Sequence, residues 1–512
     1  MRTFTDYFDR SFEYLQEKRS IDLHSILSDE NSLISGDFYG IQKFIFDRLS
    51  TKNASKVIRA KSAFVQLFTI TLSRYICKEL DIDERQIITT NAGKFEILSK
   101  RIDEDRIQSI QEVIDNYFLK HFFGLSGASV TVTHCTREDF TDSKKYKTLR
   151  ESIARNIETK KFQKFNLMNR SAVLDYEAPS SNDTLCKICN IRKADHDKCP
   201  ICTMFITLGK HLVSSKKSVS SKNDLLIELE GFDTEIVLDE KIKSYICTGE
   251  QNEPVDFTEL AANSCRNLDG GINALGILKA DVDGMGNFIK KSDITNSFEN
   301  FDLFSKSLDN FFSLHIPKIM RERYPDTYTV FAGGDDLFLV GSWDVILDLA
   351  RFIHDEFSRF ILNDQLSISF GITIAKPSTP ISYLAEHSEH ALEEAKGIDE
   401  KKNAISLFQE TVKWKTYLST VTTLNKALEQ IDEKDTKTAF LYSLLEFCTM
   451  SKKVKYENHI PSTIWKSKLR YSFTRNMDPK YSTILNTLDE CIDNYPKESK
   501  MFLSEFIYKR RD

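Results

Sequence analysis

Glycine and proline are scarce in this chain of 512 residues, at 18 and 10, which excludes a collagen-like, low-complexity or largely disordered polymer. No apolar run approaches the roughly 18 to 20 residues needed to span a bilayer. The opening MRTFTDYFDR also lacks the apolar core of a secretory signal, so a cytoplasmic protein with no membrane partner is expected. An excess of one charge is missing too: 70 Lys and Arg face 76 Asp and Glu, a net charge of −6. A uniformly basic nucleic-acid coat is thereby excluded, while local basic stretches are not. What is plentiful is apolar bulk, 41% of residues and 36 of them Phe, enough for about three or four core-bearing domains.

An internal repeat organises the chain. ISGDFYGIQKFI (Ile34 to Ile45) and KADVDGMGNFI (Lys279 to Ile289) share the spacing D-x-x-G-x-x-x-F-I from Asp37 and Asp281. Each is a short apolar strand running into an acidic turn. NAGKFEIL echoes FAGGDDLF, with Gly93 lying 56 residues after Asp37 and Gly333 lying 52 after Asp281. The alternating ASVTVTHC and LSISFGITI follow at similar intervals. Helical periodicity over Phe301 to His315, and over Ala60 to Tyr75 in the first copy, completes two copies of one α+β unit with helices on one sheet face. After about residue 409 the sequence reads as helical, without strand alternation.

The second copy carries the chemistry. Gly333 and Gly334 form a tight turn between apolar strands, followed by Asp335 and Asp336. Gly-Gly alone is only a hairpin signal. Adjacent carboxylates repel unless a cation lies between them, and Mg²⁺ favours a few carboxylates plus substrate phosphates. Pairing the two strands brings Asp281 beside Asp335 and Asp336, with Asp283 an adjunct candidate. Lys396, and Lys401 or Lys402, are candidates for triphosphate contacts or members of a solvated helix end. In the first copy Gly93, Lys94, Phe95 and Glu96 stand where the second has its Gly-Gly-Asp-Asp. The paired carboxylates are therefore missing there.

Of ten cysteines, four form Cys186-x-x-Cys189 and Cys199-x-x-Cys202. Their spacing suits a tetrahedral thiolate Zn²⁺ site, structural because four protein ligands leave no open position. The other six are scattered and expected to be reduced. Two stretches are basic: Ser143 to Arg170, with nine Lys or Arg and two Glu, and Ser451 to Arg475, with seven basic residues, Glu457 and interleaved aromatics. Each is either a phosphate-binding surface or a solvated helix face.

The motifs ILKADVDGMGNFI, FAGGDDLFLVG, SISFGITIAKP and ALEEAKG resemble the palm domain of GGDEF-type nucleotide cyclases and polymerases. With GDFYGIQKFIF, two palms and an intervening cysteine cluster followed by LGKHL, the chain resembles the large polymerase-like subunit of type III-A (Csm-type) CRISPR effector complexes. The resemblance implies RNA-activated synthesis of cyclic oligoadenylates from ATP. Mg²⁺ or Mn²⁺ would be held by Asp281, Asp335 and Asp336, Gly333 and Gly334 would border the nucleotide, Gly93 and Lys94 would contact an acceptor nucleotide unless Lys94 is an ordinary surface lysine, and guide RNA, target RNA and other Csm-type subunits would be partners. A free-standing nucleotide cyclase and a non-enzymatic guide-RNA scaffold are the alternatives. The expected organisation is an N-terminal helical segment (1–32), a degenerate first palm (33–150), a zinc-binding and linker domain (151–270), a catalytic second palm (271–408) and a C-terminal helical domain (409–512). Only about 35 residues precede the first palm, too few for the histidine-aspartate nuclease domain of many relatives, so deoxyribonuclease activity is not expected.

Overall fold

The computed structural model describes residues 8–9, 11–12, 23–46, 49, 53–91, 93–163, 184–194, 196–249, 253–266, 268, 270–432 and 437–511. Most of the expected N-terminal segment, and 164–170 of the first basic stretch, lie outside them.

The first sheet is built from β1 (Glu30–Tyr39), β2 (Ile87–Asn91), β3 (Lys94–Lys100) and β4 (Gly127–Thr136), in the order β2-β3-β1-β4. Eight successive residues of β1 are buried, as a central strand covered on both faces requires. Ile34, Phe38, Phe95 and Ile97 pack on one side with the helices Ala54–Leu80 and Glu104–Phe122. Leu33 and Leu98 pack on the other with Tyr146, Leu149 and Ile153 of the helix Ser143–Phe162.

Two short strands, β5 (Ser218–Ser220) and β6 (Glu235–Val237), pair with each other in the intervening segment. The second sheet comprises β7 (Leu275–Asp283), β8 (Thr327–Gly333), β9 (Asp336–Ser342), β10 (Ser367–Ala375), β11 (Ala404–Leu407) and β12 (Glu410–Lys413), in the order β12-β11-β10-β7-β9-β8. Strand alternation sorts β7: Leu278, Ala280 and Val282 face the core containing Trp343, Ile346 and Ile353 of the helix Trp343–Phe360. Leu275 and Ile277 face the opposite core, which holds Ile381 and Leu384 of the helix Ile381–Lys396. That helix sits so close that a Cβ on Gly371 of β10 would lie 2.2 Å from the backbone nitrogen of Leu392, so glycine is required there.

Both sheets thus carry helices on two faces, which corrects the one-face expectation. The odd-numbered face of β7 and the inner core of the first sheet belong to one continuous apolar cluster. The two units meet there: Tyr328 OH donates to the Ser55 carbonyl at 2.5 Å, and the rings of Phe46 and Phe338 lie 4.5 Å apart. A second difference concerns residues 410–413, expected to be helical. They form β12, which pairs with β11, because a four-residue strand is too short to show alternation. The helices Trp414–Leu428, Thr438–Glu457, Trp465–Asn476, Ser482–Asn494 and Pro496–Tyr508 follow and share their own core. Among the described residues no helix is long and apolar enough to cross a membrane.

Candidate functional site

Strand register brings the acidic residues together. Asp281 near the end of β7 pairs with Asp336 at the start of β9, and residues paired across an antiparallel ladder point to the same face. Gly333 pairs with Asp336, so Gly334 and Asp335 make a two-residue turn. Gly334 has φ +65°, and its left-handed backbone at the first turn position is what glycine supplies. An added Cβ there would meet nothing within 4 Å, so the turn opens outward. The Asp335 carbonyl accepts from Val282 N–H at 3.2 Å, tying the turn to β7.

Burial, and for Asp335 also the neighbouring Asp336, raises the pKa of both carboxyls above the ordinary carboxylate value, against the opposing pull of Lys94. Lys279, two residues before Asp281 and on the same face, also offsets the charge of Asp336. It is buried, ion-paired with Glu389, and pushed down to about 8 by burial. Lys396, the last residue of the helix Ile381–Lys396, is ion-paired with Asp281 and also lowered to about 8 by burial.

Among the described residues the three carboxylates do not converge on one point as the cysteine thiols do. A cation nevertheless fits this donor set, because two adjacent half-buried carboxylates that repel each other favour a positive charge between them. Asp281, Asp335 and Asp336 are the residues that would hold it. Asp283 proves different from the expected nucleotide contact. It is 3% exposed, and its Oδ2 accepts from Ser367 Oγ and Ser369 Oγ at 2.8 Å and from the Asn403 N–H at 3.0 Å. Committed inside the protein, it joins β7, β10 and the turn before β11.

The first sheet repeats this plan with altered charge. Asp37 pairs with Lys94 as Asp281 pairs with Asp336, and Asn91 pairs with Lys94 as Gly333 pairs with Asp336. The counterpart of Gly-Gly-Asp-Asp is therefore residues 91–94, two positions earlier than the sequence echo suggests, and Lys94 itself replaces Asp336. Glu96 instead receives Arg150 Nη1 on both oxygens at 2.8 and 2.9 Å. Gly93, with φ +86°, is buried, and a Cβ there would approach Ile41 and Val65. It shapes the turn and leaves the exposed Lys94 to face the second sheet's carboxylates. Lys161, near the end of the helix Ser143–Phe162, is ion-paired with Asp37 at 2.6 Å, just as Lys396 is with Asp281. Sequence reasoning missed Lys161 as a counterpart because it lies in a run of lysines with no motif around it.

The four cysteines of the paired motifs are all buried, with their sulfurs within 4.8 Å of one another. A tetrahedral Zn²⁺ with bonds of about 2.3 Å spaces its sulfurs by about 3.8 Å, so the cage fits that ion. Cys199 caps the helix Pro200–His211, its Sγ accepting the Cys202 N–H at 3.4 Å. The second basic stretch is largely neutralised within the fold. Lys452 binds the buried Glu410 at 2.7 Å, Lys466 binds Asp493 at 2.6 Å, Lys468 binds Glu446 at 3.3 Å and Arg470 lies 3.6 Å from Asp489.

Two family models match the chain: the Cas10/Cmr2 second palm domain over residues 274–406, and the Csm1 subunit domain B over 30–179. Curated relatives named subtype III-A Cas10/Csm1 single-strand-specific deoxyribonucleases include one from Methanocaldococcus jannaschii, 26% identical over 78% of this chain and 62% of its own. Another, from Enterococcus italicus, is 25% identical over 74% of this chain and 54% of its own. The chain thus spans between about half and two thirds of these relatives. Among solved structures, an apo Csm1-Csm4 cassette superposes with a TM-score of 0.71 at 19% identity, covering 97% of this chain and 72% of that one. A Csm1-Csm4 cassette in complex with one ATP gives 0.68 at 19% identity, covering 94% and 72%. These two share the fold. The relatives' names overturn the expectation that deoxyribonuclease activity is absent. With the Csm1 domain B match on the first unit, the Cas10/Cmr2 second-palm match on the second and relatives named Cas10/Csm1, the chain belongs to the Csm1-type large subunits of type III-A CRISPR systems.

Proposed function

We propose that this chain joins ATP into cyclic oligoadenylates by divalent-metal-dependent nucleotidyl transfer, within a type III-A ribonucleoprotein switched on by target RNA. The observation that carries this reading is the placement of Asp281, Asp335 and Asp336 on one strand-end face, opposite Lys94 of the other palm. Solved relatives bound to ATP and to the cyclic product cA4 support it by their fold. Mg²⁺ or Mn²⁺ held by the three aspartates would supply charge neutralisation at the phosphoryl oxygens and ease deprotonation of the attacking ribose hydroxyl. The protein's own part is positioning. Gly334 leaves the turn open to a nucleotide, Lys396 can leave Asp281 for a phosphate once a cation takes its place, and Lys94 presents a positive charge from the acceptor side. A small cavity lined by Phe46, Phe338, Lys279 and Asp336 lies beside the carboxylates, where the two palms meet.

Mass spectrometry of products formed from ATP and Mg²⁺ by the assembled complex, with guide and target RNA, tests the reading. Cyclic oligoadenylate is expected, dependent on target RNA and abolished in Asp335→Ala/Asp336→Ala with assembly intact. Turnover that survives the double substitution excludes this metal site, and a guanine-containing dinucleotide as sole product favours a free-standing cyclase. Control by RNA requires a competent state that is sparsely populated until partners favour it, and the contact between palms is the element whose rotation would matter.

A further inference from the structure

Lys241 belongs to neither repeat, yet its ammonium reaches both. It lies on the short helix Glu240–Lys243 of the intervening segment, donates to Asn91 Oδ1 at 2.8 Å and is ion-paired with Asp309. Asn91 closes the first palm's turn by pairing with Lys94. Asp309, next to last in the helix Phe298–Asn310, has a side chain only 3% exposed. Its Oδ1 accepts the Gly334 N–H at 3.1 Å. One cation therefore links the turn bearing Lys94 to the turn bearing Asp335 and Asp336.

We infer that Lys241, acting through Asn91 and Asp309, is a positioning residue that fixes the separation of the two palm turns across the nucleotide site. The inference rests on the nucleotidyl-transfer reading above. A buried carboxylate is held in its charged form by a paired cation, and charge-assisted hydrogen bonds are the short, directional ones. Asp309 thus grips the Gly334 N–H firmly only while Lys241 compensates it. The second bond, to Asn91, converts a local ion pair into a strap between units. Lys241 does not touch the reacting atoms, so its loss should misplace bound nucleotides rather than release them. A displacement of about 1 Å between attacking hydroxyl and α-phosphate costs on the order of a hundredfold in rate.

Steady-state ATP turnover by the complete RNA-bound complex decides the matter, measured for wild type, Lys241→Met and Asn91→Ala, with the melting temperature of each. Asn91→Ala cuts the strap without leaving a buried charge, so it separates positioning from folding. The expected result is a kcat lowered about tenfold or more in Lys241→Met and severalfold in Asn91→Ala, with KM for ATP within about twofold of wild type. Adding Asp309→Asn to Lys241→Met should recover part of the loss, because the uncompensated charge goes while an acceptor for Gly334 stays. Unchanged kcat in Asn91→Ala, or a raised KM with kcat intact in either variant, overturns the inference. A wild-type complex that makes no product overturns the nucleotidyl-transfer reading instead, so the two failures are told apart.

Discussion

Single residues in this protein are defined by what compensates their charge. Lys396 and Lys161 each close the ion pair of a strand aspartate, and they predict different outcomes. Lys396→Met should impair triphosphate positioning and lower ATP turnover by about tenfold or more, as expected for loss of a charge-assisted contact, read by kinetics of the assembled complex. Lys161→Met, in the palm whose counterpart carboxylate is replaced by Lys94, should act mainly on acceptor binding and raise KM. His354 gives a prediction in pH. Burial lowers its pKa, and it bonds Asn403 Oδ1 at 3.0 Å while stacking on Trp414. The folded state then binds fewer protons than the unfolded one, so stability rises with pH through the window ending near the unperturbed value of about 6.5 and is lost as pH falls through it. Urea unfolding at pH 5 and 7 should show a smaller acid loss in His354→Gln than in wild type.

At the scale of elements, the sequence disclosed the strands that flank the two acidic turns, because apolar runs ending in acidic turns recur with the same spacing, but not the short strand β12. It did not disclose their register. The echo of Gly93 with Gly333 aligned Glu96 with Asp336, whereas ladder pairing gives that position to Lys94. A two-residue slip keeps every side chain on its face, so hydrophobic alternation could not detect it. The paired cysteines were fully legible, since their ligands are local. Substituting Cys186 or Cys202 with Ser should remove one Zn²⁺ per chain by elemental analysis and lower the melting temperature, metal binding being folding energy in such a cage. For the C-terminal basic stretch the sequence left a phosphate-binding surface and a solvated helix face both open, because the acidic partners Glu410, Glu446, Asp489 and Asp493 lie outside the stretch. Lys452→Glu should cost about 1–3 kcal/mol by breaking into the buried Glu410 pair, which also holds Lys500 at 2.7 Å. Lys453→Glu, at an exposed position, should change stability by less than about 0.5 kcal/mol.

At the scale of the whole molecule, Gly93 and Lys94 of one palm stand where the other has Asp335 and Asp336. A pair of identical palms would present carboxylates to carboxylates, and each face would be able to act on the other. Here the halves are electrostatically complementary, so the molecule has polarity: one side collects cations, the other supplies one. On the proposed nucleotidyl-transfer reading, bond making would be confined to a single place, and a ring of several adenylates would be built in successive passes, each demanding that the growing strand shift and reseat before the next. Linear intermediates should therefore precede rings in a rapid-quench time course, and a burst of closed product with no linear precursor would rule that order out. Two similar turns that differ in charge thereby give the molecule a direction.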